Sequence, residues 1–218
     1  MAAQREGKSF MADVTAGAAA PDESPAKANP AIPEPLRDAA LTLFAEQGYA
    51  ATGIRDIARR SGMSSAAMYH YFGSKQDLLF ALMHDIMVHL LAVAEQALDG
   101  AEAPEARIAA LVRCHIRLIA NHNPDTMVNE NELRSLEPAN RRAIADMRDT
   151  YEHLWRDAIA RGIAEGTFQV PDARLASFAA ISMCTSVPKW YAPTGSLSPD
   201  QIADAYVILI LNMLRGGA

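Results

Sequence analysis

Apolar residues recur along this chain at intervals of three and four, and strand-like alternation is essentially absent. Leu36, Ala39, Ala40, Leu43 and Phe44 form a stripe that Gly48 stops, predicting a first helix over residues 35–47. Ile54, Ile57 and Ala58 predict a short second helix, with Thr52 ahead of it as a hydroxyl cap. Ser61-Gly62 then breaks the pattern, because glycine turns the chain through a positive φ without a Cβ clash. Ser64 is placed to cap a third helix over residues 65–71, whose inner face is Met68 and Phe72. Ser65, Ala66, Ala67, Tyr69 and His70 are left pointing outward or sideways. Ser74-Lys75-Gln76-Asp77 reads as a capping box, with Asp77 in the place of the usual Glu or Gln.

A long helix follows over residues 75–98, striped by Leu78, Leu79, Leu82, Met83, Ile86, Leu90, Val93 and Ala97. It joins the first unit to the rest without a Gly/Pro linker. Such a rod can pass a shift in one part to the other. Further helices are predicted over 105–122, a shorter segment up to 136, then 138–165, 172–187 and 198–215, with a loop over 190–197. The segment 172–187 carries no charge after Arg174 and reads as buried on most sides. Residues 205–211 are apolar all round, and a helix without a polar face must be covered on both sides. Pairing the last two helices with those of a second copy, as a four-helix interface, would cover them.

Helix, glycine turn, helix is the order of a helix-turn-helix, whose second helix enters the DNA major groove. Residues 36–79 resemble the N-terminal domain of the TetR family of bacterial transcriptional regulators. The resemblance rests on Ala39-Ala40, Leu43-Phe44, Gly48-Tyr49, Thr52, Asp56-Ile57-Ala58, Gly62, Tyr69-x-Tyr71-Phe72 and Lys75-x-x-Leu78. It implies an all-α fold: a three-helix helix-turn-helix DNA-binding domain plus a helical ligand-binding and dimerisation domain. It also implies a homodimer that binds an operator and releases it when a small molecule enters the C-terminal domain. The domains expected are a disordered tail over 1–33, a DNA-binding domain over 34–80 with its helix-turn-helix at about 54–73, and the helical body over 81–218. One departure stands out. Where similar sequences carry a polar set such as Lys-Gly-Thr, this chain has Ser65-Ala66-Ala67, which offers fewer hydrogen bonds to base edges but can pack on a thymine methyl.

Charge adds a distinction that pattern does not. The chain has 20 basic and 26 acidic residues, a formal net charge of −6. Between 52 and 75, however, Arg55, Arg59, Arg60 and Lys75 face only Asp56. A basic head on an acidic body favours one docking face over general adhesion to nucleic acid. The tail has too few large apolar groups to offset its ordering entropy, and its acids outnumber Arg5, Lys8 and Lys27, which argues against a DNA-gripping arm. Its first thirty residues lack the apolar run of a secretory signal. The weakly polar runs 175–188 and 205–214 are too short to span a bilayer, so no membrane partner is expected. Cys114 and Cys184, isolated on apolar patterns, read as reduced core thiols in a cytoplasmic protein.

The DNA contacts expected are therefore Thr52, Arg55, Ser64, Ser65, Ala66, Ala67, Tyr69, His70 and the helix start at Lys75. Thr52, Tyr69, His70 and the Lys75 N-terminus would meet phosphate, and residues 65–67 base edges. A twofold dimer implies a pseudo-palindromic operator with half-sites about one helical turn apart or slightly more. Tyr69 also fits a core aromatic, and His70 a solvated surface residue.

For the body, His115, Met127, Tyr151, Trp155, Phe178 and Met183 are the candidate pocket residues, apolar with a few polar handles, and each also fits an ordinary core position. Residues 190–214 resemble the last loop and helix of TetR members tied to fatty-acid or sterol-ring breakdown, several of which sense acyl-CoA thioesters. An acyl-CoA or another lipid-catabolism metabolite is the effector this implies. No cofactor is expected. His84 and His89 are five residues apart and no Cys/His/acid cluster completes a metal site. No nucleophile–base pair, glycine-rich phosphate loop or paired carboxylate supports an enzyme. A DNA-binding regulator without a small-molecule ligand, and an all-α enzyme that has kept a reading head, remain the alternatives.

Overall fold

The computed structural model describes residues 32–216, so the expected tail lies almost wholly outside the described residues. Among these, every regular element is a helix. They are α1 (Glu34–Gln47), α2 (Ile54–Ser61), α3 (Ser65–Met68), α4 (Lys75–Leu98), α5 (Pro104–Asn121), α6 (Asn123–Asn131), α7 (Pro138–Ala164), α8 (Ala173–Thr185) and α9 (Pro199–Leu214). Single 3₁₀ turns follow α6 (Leu133–Ser135) and α8 (Val187–Lys189).

The head closes on one small core. Leu36, Ala39, Ala40 and Phe44 of α1 meet Ile57 and Ala58 of α2, Met68 of α3, Phe72, and Leu78 and Leu79 at the start of α4; all are buried. Leu43, Tyr49 and Ile54 pack at its edge, partly buried. Gly62 sits at φ 70 and its N–H reaches the carbonyls of Ala58 and Arg59, closing α2 with a left-handed turn that a Cβ would strain. The Ser64 hydroxyl accepts from Ala67 N and caps α3. α3 is shorter than its sequence suggests: beyond Met68 the bonds His70 N–Ala67 O and Tyr71 N–Met68 O tighten it into turns.

Thr52 departs from expectation. It is 1% exposed, and its hydroxyl donates toward the carbonyls of Gly48 (2.8 Å) and Leu43 (3.3 Å) and accepts from Gln47 Nε2 (3.2 Å). It ties down the end of α1 instead of capping α2, whose cap position is Gly53. At α4, Ser74 accepts from Asp77 N as expected, but the Asp77 carboxylate accepts from the Ser74 hydroxyl (2.9 Å) and not from the Ser74 backbone, so only half of the capping box forms.

In the body, α5 is the central helix, packed by α4, α7, α8 and α9. Ile108, Leu111, Val112 and Ile116 are fully buried along it. α4 is long and apolar enough by length and composition to cross a membrane, at mean hydropathy 1.7, but α5, α6 and α7 pack against it and it serves here as a core rod. Gly162 makes room for Phe168: a Cβ at this position would lie 2.1 Å from the ring.

Among the described residues, α8 is not covered on most sides. Ala176, Ser177, Ala180 and Cys184 face inward, while Leu175 (67%) and Phe178 (44%) are exposed. α9 behaves alike: Ile202, Val207, Ile210 and Leu214 are buried, and Ile208 (61%) and Leu209 (52%) stand outside. Among the described residues of the body, these two helices carry four of the exposed large apolar side chains.

Candidate nucleic-acid interface and body cleft

The head presents a shallow groove of about 690 Å³ between the start of α2 and α3, lined by Gly53, Arg55, Asp56, Arg59, Ser65 and Tyr69 among others. No side chain caps the N-terminus of α2 beside it. That end of the helix offers N–H groups and the positive pole of the dipole to an anion. Tyr69 is 52% exposed, its ring tilted against the buried Phe72 with centroids 6.3 Å apart, so the phenol is held on a fixed base while its hydroxyl reaches solvent. His70, Ser64 and Ala66 are exposed and Ser65 and Ala67 half-buried along the same short helix.

The local positive charge is partly neutralised. Arg59 pairs with Asp56 at 2.6 Å and Arg60 with Glu46 at 3.6 Å, both on the surface. Arg55 is exposed and makes no ion pair among the described residues. Lys75 turns inward. Its ammonium donates to Tyr49 O (2.9 Å) and Thr52 O (2.8 Å) and lies 4.1 Å from the Tyr49 ring centroid. Burial pushes its pKa down. The side chains of Thr52 and Lys75 are therefore committed to holding the α1–α2 loop. What remains for an anion at that point is the start of α4 itself. The set combines one guanidinium without an ion-pair partner among the described residues, a phenol, an imidazole and the methyls of exposed Ala66 and half-buried Ala67, a chemistry suited to phosphate oxygens and thymine methyls.

The body contains a cleft of about 380 Å³ whose lining includes Met87 and Leu90 of α4, His115 of α5, Arg148 and Tyr151 of α7, and Phe178 and Ile181 of α8. Glu130, Asp149, Glu152 and Lys189 add charge at its wall and rim. A smaller annex of about 40 Å³ continues past His115 toward Ile119, Thr126 and Asn129. Three of the expected residues, His115, Tyr151 and Phe178, line the cleft. The other three do not. Trp155 is fully buried behind it, edge-on to both His115 and Tyr151, and its indole N–H finds no partner among the described residues. Met127 and Met183 sit half-buried on α6 and α8 away from the lining, because their positions on those helices turn them to other neighbours.

The polar handle of the cleft has a defined tautomer. Thr185 Oγ1 donates its single proton to Ile181 O (2.9 Å), so toward His115 Nε2 (3.3 Å) it can only accept. Nε2 therefore carries the imidazole proton and Nδ1 accepts from the Tyr151 hydroxyl at 2.8 Å. Burial pushes His115 down to about 4, so the ring is neutral near pH 7, and burial likewise raises the Tyr151 phenol well above its ordinary range. The thiol of Cys114 is pushed up to about 12 and that of Cys184 is also raised, both by burial first, which leaves them protonated and poor nucleophiles. No group of three or more His, Cys, Asp or Glu suited to a metal occurs among the described residues.

Several residues that matter here carried no periodic signal. Arg148 hydrogen-bonds the carbonyl and side chain of Asn129, whose amide donates to Met83 O at 3.3 Å, so the cleft wall is tied to α6 and α4. Gln76 and Glu132 bind the head to the body across more than fifty residues of sequence. The signal that could have found Met87 is its place next to the Ile86–Leu90 stripe, one step around the helix.

Comparison with known proteins agrees with this architecture. Residues 36–82 match the family model described as bacterial regulatory proteins, tetR family, and residues 101–214 match the one described as tetracyclin repressor-like, C-terminal domain. The chain is 28% identical over 180 residues to the HTH-type transcriptional repressor KstR2 of Mycolicibacterium smegmatis, covering 81% of this chain and 87% of that one. The crystal structure of the TetR family transcriptional regulator PfmR from Thermus thermophilus is similar with TM-score 0.76 and 34% identity, covering 85% of this chain and all of that one. AibR, solved in complex with isovaleryl coenzyme A and operator DNA, is similar with TM-score 0.73 and 25% identity, over 82% of this chain and 95% of that one.

Proposed function

The chain belongs to the tetR family of bacterial regulatory proteins and is a DNA-binding transcriptional regulator; on that footing we propose that it is not an enzyme but a homodimeric repressor released from its operator by an acyl-CoA. The observation that carries this reading is the double use of α4. Its first turns, through Leu78 and Leu79, build the core of the head, and three turns on Met87 and Leu90 form a wall of the cleft. A ligand that moved that wall would tilt the head at the other end of the same rod. The ligand needs only to favour one tilt over the other to change DNA affinity.

In this reading Arg55, Tyr69, His70 and the N-termini of α2 and α4 hold phosphates, and Ser65, Ala66 and Ala67 face base edges while Ser64 caps their helix. Leu175, Phe178, Ile208 and Leu209 meet their counterparts on a second copy, which places two heads on a pseudo-palindromic duplex. AibR, whose structure holds isovaleryl coenzyme A together with operator DNA, supports the effector class. The apolar Met87, Leu90, Phe178 and Ile181 suit an acyl group, and the neutral His115–Tyr151 pair lies where a carbonyl could be met.

A mobility-shift titration on the DNA upstream of its own gene tests both halves. The expected result is a retarded band that isovaleryl-CoA or a longer acyl-CoA dissolves and free coenzyme A does not. No retarded band removes the operator reading. A band that every acyl-CoA leaves in place removes the effector reading and favours a regulator that works by occupancy alone.

A further inference from the structure

Tyr49 lies in the loop that joins α1 to α2, and three residues from two other parts of the protein hold it. Its backbone N–H donates to Glu132 Oε1 (3.1 Å), just after α6. Its carbonyl accepts from Lys75 (2.9 Å) and its hydroxyl from Gln76 Nε2 (2.8 Å), both at the start of α4. Gln76 uses its whole amide. The second Nε2 proton goes to Ser135 O (2.7 Å), and Oε1 accepts from Glu137 N (3.1 Å). Glu132 closes the ring by accepting from Ser135 Oγ at 2.6 Å. The result is a polar knot at the point where the α1–α2 loop, the rod and the α6–α7 connection meet. Both segments of that connection bear on the cleft: α6 through the Asn129–Arg148 contact, α7 through Tyr151 and Arg148 themselves.

We propose that Gln76 is the positioning residue that couples the α6–α7 connection to the reading head, so that DNA held at α2 and α3 is felt at residues 132–137 and the reverse. This rests on the operator reading above but not on the identity of any effector. The chemistry favours Gln for the role. A carboxamide donates to two acceptors and accepts from a donor at once, whereas Glu could not donate to Ser135 O and Leu could do neither. The two bonds from Nε2 are half-buried and so meet less water than a surface bond, while the one that Oε1 accepts from Glu137 N is exposed. The loop they anchor leads directly through Thr52 and Gly53 into α2, so a displaced Tyr49 carries the start of the reading unit with it.

Hydrogen exchange on the full-length protein, free and bound to a duplex selected from a random pool, tests this. In the wild type, DNA slows exchange both in residues 54–73 and at 132–137, including the Glu137 amide that Gln76 accepts. In Gln76→Leu at saturating duplex the protection gained at 132–137 falls about tenfold, while the protection gained at 54–73 remains. Tyr49→Phe, which keeps the ring under Lys75 and removes only the hydroxyl, gives an intermediate loss and serves if Gln76→Leu does not fold. Gln76→Glu does not rescue. Protection at 132–137 that survives in the Leu and Phe variants, or that never appears in the wild type, overturns the proposal. A pool that yields no bound duplex overturns the operator reading, and this inference falls with it.

Discussion

Arg37 of α1 forms an ion pair with Asp125 of α6, whose carboxylate is buried, and it reaches Asp85 of α4 at 3.2 Å. One guanidinium thus clamps the first helix of the head to both the rod and the helix behind it. Arg37→Ala leaves a buried carboxylate without its cation. Because Arg37 itself is 27% exposed, the expected cost is about 2 kcal/mol, below the range for a fully buried pair. Urea denaturation measures it, and Arg37→Ala with Asp125→Ala together should recover part of the loss. A change under about 0.5 kcal/mol would mean that the pair is solvated in solution.

His115 should set a limb of the pH–stability profile. Its folded value of about 4 lies below the ordinary 6.5, so as pH falls the unfolded chain takes this proton first. Stability from this residue is complete above pH 6.5 and is lost as pH drops toward 4, by about 2–3 kcal/mol in total. His115→Gln flattens that limb of the curve. Thermal melts between these pH values report it, and an unchanged slope in the variant would place the titrating group elsewhere.

Arg55 and Lys75 separate by salt dependence. Arg55 is exposed with no ion-pair partner among the described residues, so Arg55→Ala should weaken duplex binding about tenfold and lower the slope of log K against log salt by about one. Lys75 holds Tyr49 and Thr52 instead, so Lys75→Ala should weaken binding by loosening the head while leaving the salt slope unchanged. Fluorescence anisotropy over a salt series gives both numbers. A slope that falls for Lys75→Ala and not for Arg55→Ala would reverse these assignments.

The uncovered sides of α8 and α9 predict the assembly. Ile208→Glu combined with Leu175→Glu puts charges where two apolar faces are expected to meet, and the double variant should sediment as a monomer with its helical content intact. The same variant should keep the wild-type affinity for a half-site and lose most of the extra affinity that wild type shows for a full operator. A wild-type protein that sediments as a monomer would remove the twofold reading.

Elements written locally in the chain were the legible ones. The stripe Leu36–Phe44, the Ser64 and Ser74 caps and the unbroken run of α4 repeat at helical spacing, and α4 spans residues 75–98 as expected. Side-chain partners distant in sequence were not legible. Lys75 finds its carbonyls 26 and 23 residues back, and Gln76 finds Ser135 59 residues on; no spacing rule encodes either. Thr52 stood at a cap position by sequence, yet the end of α1 offered its hydroxyl nearer acceptors at Gly48 and Leu43. In the cleft, His115, Tyr151 and Phe178 could be named from the mixture of apolar stripe and polar handle, while Trp155, one turn on from Tyr151 along the same side of α7, is sealed behind them. The outward apolar side of α8 read as core because composition does not say which apolar positions the neighbouring helices cover.

Selection from a random duplex pool, followed by binding of the winner to wild type, Tyr69→Ala and Arg55→Ala, puts the most direct question to the head. The expected outcome is an enriched sequence with twofold symmetry, and a loss of about tenfold or more for each variant. A pool that shows no enriched sequence, or variants that bind the winner as tightly as wild type does, would contradict a reading head built on these residues.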